Sequence, residues 1–226
     1  MFITSPLFDP FPHVVHGFGD KGASSADIMA SHHSLRDLLL LNQIHGDVIH
    51  DVSRSPTEAL NGDGWITNTP HLGLGIKTAD CGCVLFYADD TRRIGAVHAG
   101  WQGVYHNIVG RCVEKMTSTP AHLYAVLGPC IRQESYQVDA AFRQRFLDRD
   151  PAASHFFQID HTRENRFLFD MAGMIMQQIK DAGVIHTHDV GINTYTQDHF
   201  YSHRRATHAG TADAEGRQMS FIALTS

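Results

Sequence analysis

Apolar runs alternate with polar turns along this chain and predict a mixture of short strands and helices. Strands are expected at residues 13–18, 65–67, 72–77, 123–127, 184–196 and 219–224. Residues 35–41 are expected to form a compact apolar helix or turn. Residues 42–52 predict a strand, a turn at His45 and Gly46, and a second strand.

Three stretches show helical periodicity. Apolar residues recur every four positions over residues 104–116, which predicts one amphipathic helix with Cys112 on its buried stripe. Residues 138–146 predict a second helix, and a third is expected to begin at Asp170 and end at Gly183. The tail, from HFYSHRR to residue 216, is expected to be a surface loop.

Strands and helices interleave without strict alternation, so we expect an α/β (α+β) fold, a mixed-sheet sandwich flanked by helices, rather than a doubly wound sheet. The sequence contains no repeat, low-complexity block or linker. Residues 1–226 are therefore expected to form a single domain.

The stretch 77–103 predicts a hairpin that carries a chemical site. Cys81 opens the run CGCVLFY, polar residues supply a turn, and His98 closes the run IGAVH. Antiparallel pairing about that turn would bring Cys81 and His98 together. From the residues alone, the pair can be a nucleophile and its base, two metal ligands, or a buried thiol and imidazole without a role.

Composition narrows the function classes. Hydrophobic residues make up 42% of the 226 residues and charged residues 19%, which is enough to bury a full core. The formal charge of −6 and the scattered arginines argue against nucleic acid as a partner. Neither an export signal nor a membrane-spanning run is visible, so we expect a cytoplasmic protein that does not contact membranes. The four cysteines are expected to be free thiols, and the 17 histidines weaken any argument from one histidine alone.

Three further residues have open interpretations. His45 precedes a glycine at a strand end, where its side chain either points into a cleft or is an exposed turn histidine. Cys130 follows the break Gly128-Pro129 and either lines a pocket, the interpretation we favour, or is an inert thiol. Asp63 lies in the strong turn NGDGW and is interpreted as a turn-former.

Five blocks in order, LNQIHG, KTADC, VHAGWQG, LGPCI with SYQV, and TYTQDHFYSHRR with GRQMSFI, resemble the landmarks of the YfiH family. This family is also called the multicopper polyphenol oxidase or laccase-domain family. Its members are described as purine nucleoside phosphorylases and, in bacteria, as a peptidoglycan editing factor. The resemblance runs from about His16 to the C-terminus.

The resemblance implies a metal site made by His45, Cys81 and His98. Three protein ligands leave one tetrahedral position of zinc open, as in catalytic zinc sites, and copper is less favoured. It also implies that adenosine, inosine and methylthioadenosine are cleaved with phosphate, and that adenosine is deaminated. Asp80, beside Cys81 at the strand end, is a candidate catalytic residue with Cys81 and His98: it acts as a base, orients a ligand, or is only a cap or turn residue.

Phosphorolysis requires cations or N–H donors around the phosphate. The candidates are Lys77, Arg204, the backbone of residues 100–103 and Gln43, each of which is alternatively a solvated surface residue. Cys130 is a further candidate for contact with substrate if it lines the pocket.

The chain departs from the family pattern in four places. The family arginine after HGF is replaced at Asp20 or Lys21, and the arginine of HAGWRG is replaced by Gln102. Cys83 stands where the family commonly has proline, and Asn193 stands where it frequently has cysteine. Cys83 would close the zinc site if it were a fourth ligand.

Several alternatives remain open at this point. Cys81 and His98 form a possible cysteine hydrolase dyad that acts on a peptidoglycan precursor. A copper polyphenol oxidase is disfavoured because His186 and His188 make the only His-x-His pair. A binding module without catalysis is a further alternative. The chain is expected to be a monomer or a homodimer.

Overall fold

Two β-sheets packed face to face form the centre of the computed structural model, which describes residues 1–211 and 216–226. In chain order the strands are β1 (Phe2–Ile3), β2 (Val14–Gly19), β3 (Asp37–Leu39), β4 (Ile49–Asp51), β5 (Gly64–Thr67), β6 (Leu72–Thr78), β7 (Gly82–Ala88), β8 (Arg93–Ala99), β9 (Leu123–Leu127), β10 (Gln137–Asp139), β11 (Phe157–Ile159), β12 (Arg166–Phe169), β13 (His186–Asp189) and β14 (Gln218–Leu224). The α-helices are α1 (Ser25–Ser31), α2 (Trp101–Tyr105), α3 (Ile108–Lys115), α4 (Ala140–Arg149), α5 (Met171–Asp181) and α6 (His203–Ala209).

The two large sheets mix parallel and antiparallel pairs. The first has the order β1-β2-β14-β6-β3, and the second has the order β13-β9-β7-β8-β5-β4. The pairs β3–β6, β4–β5 and β9–β13 are parallel, and the other pairs are antiparallel. A small antiparallel sheet, β10-β12-β11, lies beside them. This architecture confirms the expected mixed-sheet sandwich flanked by helices.

Strand β7 has an apolar residue at almost every position because both of its faces are buried. Leu85 and Tyr87 join the core between the two sheets, whereas Val84 and Phe86 face the helical layer. Helices α3 and α5 cover that second face, and Cys112 of α3 is fully buried in it, as predicted. Helix α1 packs on the outer face of the first sheet.

The helix expected over residues 104–116 is two helices. Asn107 has a φ of 59°, in the left-handed region, and its side chain accepts a hydrogen bond from the Gly110 N–H. Helix α2 therefore ends before Asn107 and α3 begins after it. The four-residue apolar spacing continues across the break, which is why the pattern did not indicate it.

Several other local expectations were wrong. Residues 35–41 contain strand β3 instead of a helix or turn, because this segment pairs in parallel with β6. In residues 42–52 the first expected strand is reduced to a single bridge between Asn42 and Asn61, and only β4 forms. The long strand expected at 184–196 is limited to β13.

The tail expected to be a loop contains helix α6. Ser202 accepts a hydrogen bond from the Arg205 N–H at the start of this helix, and Gly210 ends it with a φ of 71°. The part of the loop prediction that falls on residues 212–215 lies outside the described residues. None of the helices in the described part of the chain is long and apolar enough to cross a membrane.

Candidate active site

The predicted hairpin is present as strands β7 and β8. Gly82 pairs with Ala99 and Cys83 with His98, so the residue before β7, Cys81, lies beside the end of β8. The structure therefore brings the Cys81 thiol and the His98 imidazole together, as the hairpin predicted.

His45 completes this group from a distant loop. One ligand atom from each of His45, Cys81 and His98 lies within 4.8 Å of the others, and the two imidazole centroids are 4.8 Å apart. His45 is exposed, Cys81 half-buried and His98 buried, so the group opens to one side. The φ of His45 is 58°, a left-handed backbone conformation that non-glycine residues adopt mainly in turns and at functional positions.

Asp63 holds both histidines in place from the side away from the opening. Its carboxylate accepts hydrogen bonds from His98 Nδ1 at 2.8 Å, from the His45 backbone N–H at 3.0 Å and from the Gly46 N–H at 2.7 Å. Because a carboxylate only accepts, the proton of His98 lies on Nδ1, which leaves Nε2 as a ligand atom. Asp63 is fully buried, so it orients the site rather than forming a simple turn.

The space around the three donors fits a metal ion. A Cβ atom at Gly100 would lie 3.1 Å from Cys81 Sγ and 3.3 Å from His45 Nδ1, so only glycine leaves the donors uncrowded on that side. Two imidazoles and one thiolate suit zinc or copper. Three protein donors leave a further coordination position open. The group can therefore hold a metal that is accessible to substrate.

The charges within the group are coupled in the metal-free chain. Burial alone would raise the pKa of Cys81, but His98 and His45 outweigh it and lower that pKa to about 6. Burial would lower the pKa of His98, but the Cys81 thiolate and Asp63 raise it to about 9. The environment thus favours the thiolate form, which is the form that binds metals.

The other cysteines lie outside this group. Cys83 is buried between the sheets, where burial raises the pKa of its thiol to about 12, and it is absent from the metal-binding group of the described residues. The site is therefore not closed by Cys83. Cys130 is fully buried in the apolar core, where burial likewise raises its pKa to about 12. Its thiol lies within the core, and the expectation that Cys130 lines a pocket stays a prediction.

Asp80 joins the Cys81 loop to helix α6. Its carboxylate accepts hydrogen bonds from the Thr194 hydroxyl and from the Arg204 backbone N–H, both at 2.7 Å. Only 8% of Asp80 is exposed, and its φ is 84°. Both carboxylate oxygens are occupied by protein donors, so the structure shows Asp80 holding the start of α6.

Two cavities meet at the candidate metal group. The first, which we call the cationic cavity, has a volume of about 400 Å³, and the second, the aromatic cavity, about 310 Å³. The cationic cavity is lined by residues that include Gln43, Lys77, Thr78, His98 and Arg217. The aromatic cavity is lined by residues that include Asp80, Trp101, Tyr136, Met171 and Arg204. His45, Ala79, Cys81 and His203 line both.

The proposed substrate-binding residues are placed differently from one another. Gln43 lines the cationic cavity, but its side-chain amide donates to the Lys77 carbonyl at 2.7 Å and accepts from the Lys77 N–H at 2.8 Å. The Gln43 side chain thus pairs with the backbone of Lys77 in the way that the backbone of a neighbouring strand would. Lys77 lines the cationic cavity, whereas Arg204 lines the aromatic one. Gln102 is exposed on α2 and lines neither cavity.

Four residues that the structure places here were not singled out as candidates from the sequence, although each lies in one of the five family blocks: Trp101, Tyr136, His203 and Arg217. Trp101 follows His98 closely, and this proximity was a usable signal. The other three come from distant segments, and only the fold brings them to the site.

The mixed-sheet fold and the open His-Cys-His group define an α+β protein with a group of side chains that can hold a metal ion. The model of the family described as multi-copper polyphenol oxidoreductase laccase matches residues 21–225. The chain belongs to this family, the YfiH family.

Relatives and solved structures agree with this assignment. The chain is 39% identical over 175 residues to a protein of Rickettsia conorii named purine nucleoside phosphorylase, covering 76% of this chain and 72% of the relative. It is 30% identical over 185 residues to purine nucleoside phosphorylase YfiH of Escherichia coli, covering 81% and 72%. A crystal structure of Bacillus licheniformis YfiH superposes with a TM-score of 0.80 at 25% identity, covering 96% of this chain and 94% of that one.

Proposed function

We propose that this protein is a zinc-dependent purine nucleoside phosphorylase that also deaminates adenosine. Its substrates would be adenosine, inosine and methylthioadenosine, with phosphate as the co-substrate. The observation that carries the proposal is the open group of His45, Cys81 and His98 at the meeting point of two cavities. The names of the relatives add support for the reaction class.

Two imidazoles and one thiolate with an open position are the donor set of catalytic zinc sites. Bound zinc would polarise a substrate oxygen or lower the pKa of a bound water, which is the chemistry that deamination requires. Asp63 fixes the tautomer of His98, and the backbone of His45 is held by the same carboxylate. The chain therefore positions its donors before any metal binds.

In phosphorolysis, a phosphate oxygen forms a bond to the ribose C1′ while the bond from C1′ to the purine nitrogen breaks. The electron pair leaves with the purine, which takes up a proton, and the products are ribose 1-phosphate and the free base. Catalysis then depends on placing an anion and a flat base on opposite sides of C1′. Two cavities that share one wall provide such an arrangement.

The test is turnover by the zinc-loaded protein with inosine or adenosine, each with and without phosphate. We expect hypoxanthine from inosine only when phosphate is present, and inosine from adenosine even without phosphate. If neither free base nor inosine is produced by protein that holds one zinc, the proposed function is wrong.

A cysteine hydrolase acting on a peptidoglycan precursor is the second candidate. It is favoured by the direct contact between the Cys81 thiol and the His98 imidazole. A thiolate bound to metal is a poor nucleophile, so the two mechanisms compete for Cys81. One equivalent of tightly bound zinc that is lost in Cys81→Ala would exclude the hydrolase.

Copper polyphenol oxidase chemistry has less support. Multicopper oxidation needs several metal clusters, and within residues 1–211 and 216–226 only one group of three metal-binding side chains occurs. His188 hydrogen-bonds Ser5 at 2.7 Å, and His186 stacks on Tyr124. A charge-transfer band from thiolate to copper, with oxidation of a phenol after copper loading, would support this candidate; the absence of both would exclude it.

A further inference from the structure

The two cavities differ in chemistry. The lining of the cationic cavity includes the two cationic side chains Lys77 and Arg217, and no aspartate or glutamate occurs among its described residues. The whole chain carries a formal charge of −6, so the sign of the charge in this cavity is opposite to the net charge of the protein. Such a lining selects an anion.

Lys77 is the sharpest indication of that anion. Its side chain is half-buried, and among the described residues its Nζ has no hydrogen-bond acceptor or ion-pair partner. A partly desolvated ammonium without a counter-charge costs free energy, which an anionic ligand would recover. Arg217 adds a second positive charge on the same cavity while its Nη1 donates to the Gly216 carbonyl at 2.8 Å.

The aromatic cavity suits a flat, uncharged ring. Trp101, Tyr136, Ile131 and Met171 give it aromatic and apolar walls. Arg204 lies at this cavity, where its Nη1 donates to the Gln137 carbonyl at 2.8 Å and its guanidinium lies 5.2 Å from the centre of the Tyr136 ring. Because Arg204 is not among the lining residues of the cationic cavity, we do not place it in the anion site.

We infer that the cationic cavity is the phosphate subsite, with Lys77 and Arg217 as its cations, and that the aromatic cavity receives the purine between Trp101 and Tyr136. The inference rests on the proposed phosphorolysis. The ribose C1′ then lies along the shared wall made by His45, Ala79, Cys81 and His203. Phosphate approaches C1′ from one cavity, and the base departs into the other.

The experiment compares two variants of the zinc-loaded full-length enzyme, one in each cavity. Lys77→Met keeps the length of the side chain and leaves the backbone contacts with Gln43 intact. Tyr136→Leu removes one aromatic wall. Lys180→Met, an exposed lysine that lines neither cavity, is the matched control for loss of one positive charge. Phosphorolysis of inosine is measured at varied phosphate and varied inosine, and deamination of adenosine is measured without phosphate.

In Lys77→Met we expect the KM for phosphate to rise roughly tenfold to a hundredfold, as for the loss of a charge-assisted hydrogen bond. The KM for inosine and the rate of deamination should change several-fold less than the KM for phosphate, because the lost charge contacts phosphate and not the nucleoside. Tyr136→Leu should show the opposite pattern, with weaker binding of nucleoside in both reactions and an unchanged KM for phosphate. Lys180→Met should behave as the wild type.

An unchanged phosphate KM in Lys77→Met, in an enzyme that still turns over inosine, would overturn the inference while leaving the proposed function standing. A separate calorimetric titration with inorganic phosphate distinguishes failure of the function itself. The wild type could bind phosphate, lose that binding in Lys77→Met, and yet show no nucleoside turnover. That result would support the anion subsite and reject phosphorolysis. No phosphate binding and no turnover would reject both.

Discussion

Asp63 is the residue on which the geometry of the candidate metal centre depends. One buried carboxylate accepts from the His98 ring and from the backbone beside His45, so both histidines are oriented by the same group. Removal of a carboxylate that orients a metal-binding histidine commonly lowers the metal affinity by roughly 10- to 100-fold.

We therefore expect Asp63→Asn to weaken zinc binding by roughly 10- to 100-fold, because an amide cannot accept from all three donors. A competition titration with a chelator measures this loss on protein whose folded state is checked by circular dichroism. Asp89→Asn is the matched control, since Asp89 forms a similar 2.7 Å contact with His122 in an exposed position. Equal zinc affinity in Asp63→Asn and wild type would contradict the role given to Asp63.

The sequence predicted part of this site for clear physical reasons. Cys81 and His98 follow from hairpin pairing, which depends only on local alternation and a turn. His45 required the family resemblance, since a histidine before a glycine is usually a turn residue. Asp63 was interpreted as a turn-former because aspartate in a glycine-rich turn has that ordinary explanation, and its burial depends on the complete fold.

At the scale of elements, α6 is the segment whose position decides the shape of both cavities. Its first turn carries His203 and Arg204, and the Asp80 carboxylate holds that turn against the Cys81 loop. Asp80 can therefore act by positioning α6 or, as the sequence suggested, as a catalytic base.

Substitution of Asp80 separates these two roles. In Asp80→Asn the amide can still accept from the Arg204 N–H and donate to Thr194, so the positioning role predicts activity within about threefold of the wild type. Asp80→Ala leaves the Arg204 N–H without its acceptor and should raise the KM for inosine roughly tenfold. Steady-state kinetics of both variants are the measurement. An equally severe loss of kcat in Asp80→Asn and Asp80→Ala would show that Asp80 is a base.

Strand β2 contains a histidine that makes stability depend on pH. His16 Nε2 accepts a hydrogen bond from the Ser5 N–H at 2.7 Å, so it must be neutral in the folded chain. Burial lowers the pKa of His16 to about 4, with a smaller opposing effect from Asp9. In the unfolded chain the pKa of this histidine is near 6.5. Between pH 6.5 and pH 4 the unfolded chain therefore binds a proton that the folded chain does not, so the folded state loses stability as the pH falls.

We expect this group to lower the free energy of unfolding by roughly 1–2 kcal/mol between pH 7.5 and pH 5. Urea unfolding of wild type and His16→Gln at both pH values measures the effect, since glutamine keeps an acceptor but does not titrate. His161→Gln, at an exposed position, controls for loss of an ordinary histidine. The same pH dependence in wild type and His16→Gln would exclude His16 as its source.

Most strands of the sandwich were predictable because they are continuous apolar runs buried on both faces, as in β7. The short pairs β3 and β10 to β12 were not, because their strand character comes from pairing with neighbours rather than from their own pattern. Helix α6 was missed because its composition is polar and basic. Its start was marked only by the cap at Ser202.

At the scale of the whole molecule, the candidate site is assembled from segments that are far apart in sequence. Four segments meet there: the loop at His45, the start of β7, the end of β8 and the first turn of α6. Strand β7 contributes to the cores on both sides of its sheet. This sharing makes independent folding of either half unfavourable.

We therefore predict that residues 1–226 unfold as a single domain. Differential scanning calorimetry of the metal-free protein should give one transition whose calorimetric and van't Hoff enthalpies agree. Two separable transitions would instead indicate two folding units within the chain.

The most direct test of the account is a zinc titration of the metal-free protein, with bound metal and phosphorolysis of inosine measured on the same samples. We predict that the phosphate-dependent rate rises in proportion to bound zinc and reaches its plateau at one equivalent, and that Cys81→Ala shows neither tight binding nor turnover. A metal-free protein that cleaves inosine as fast as the zinc-loaded one would contradict the central claim.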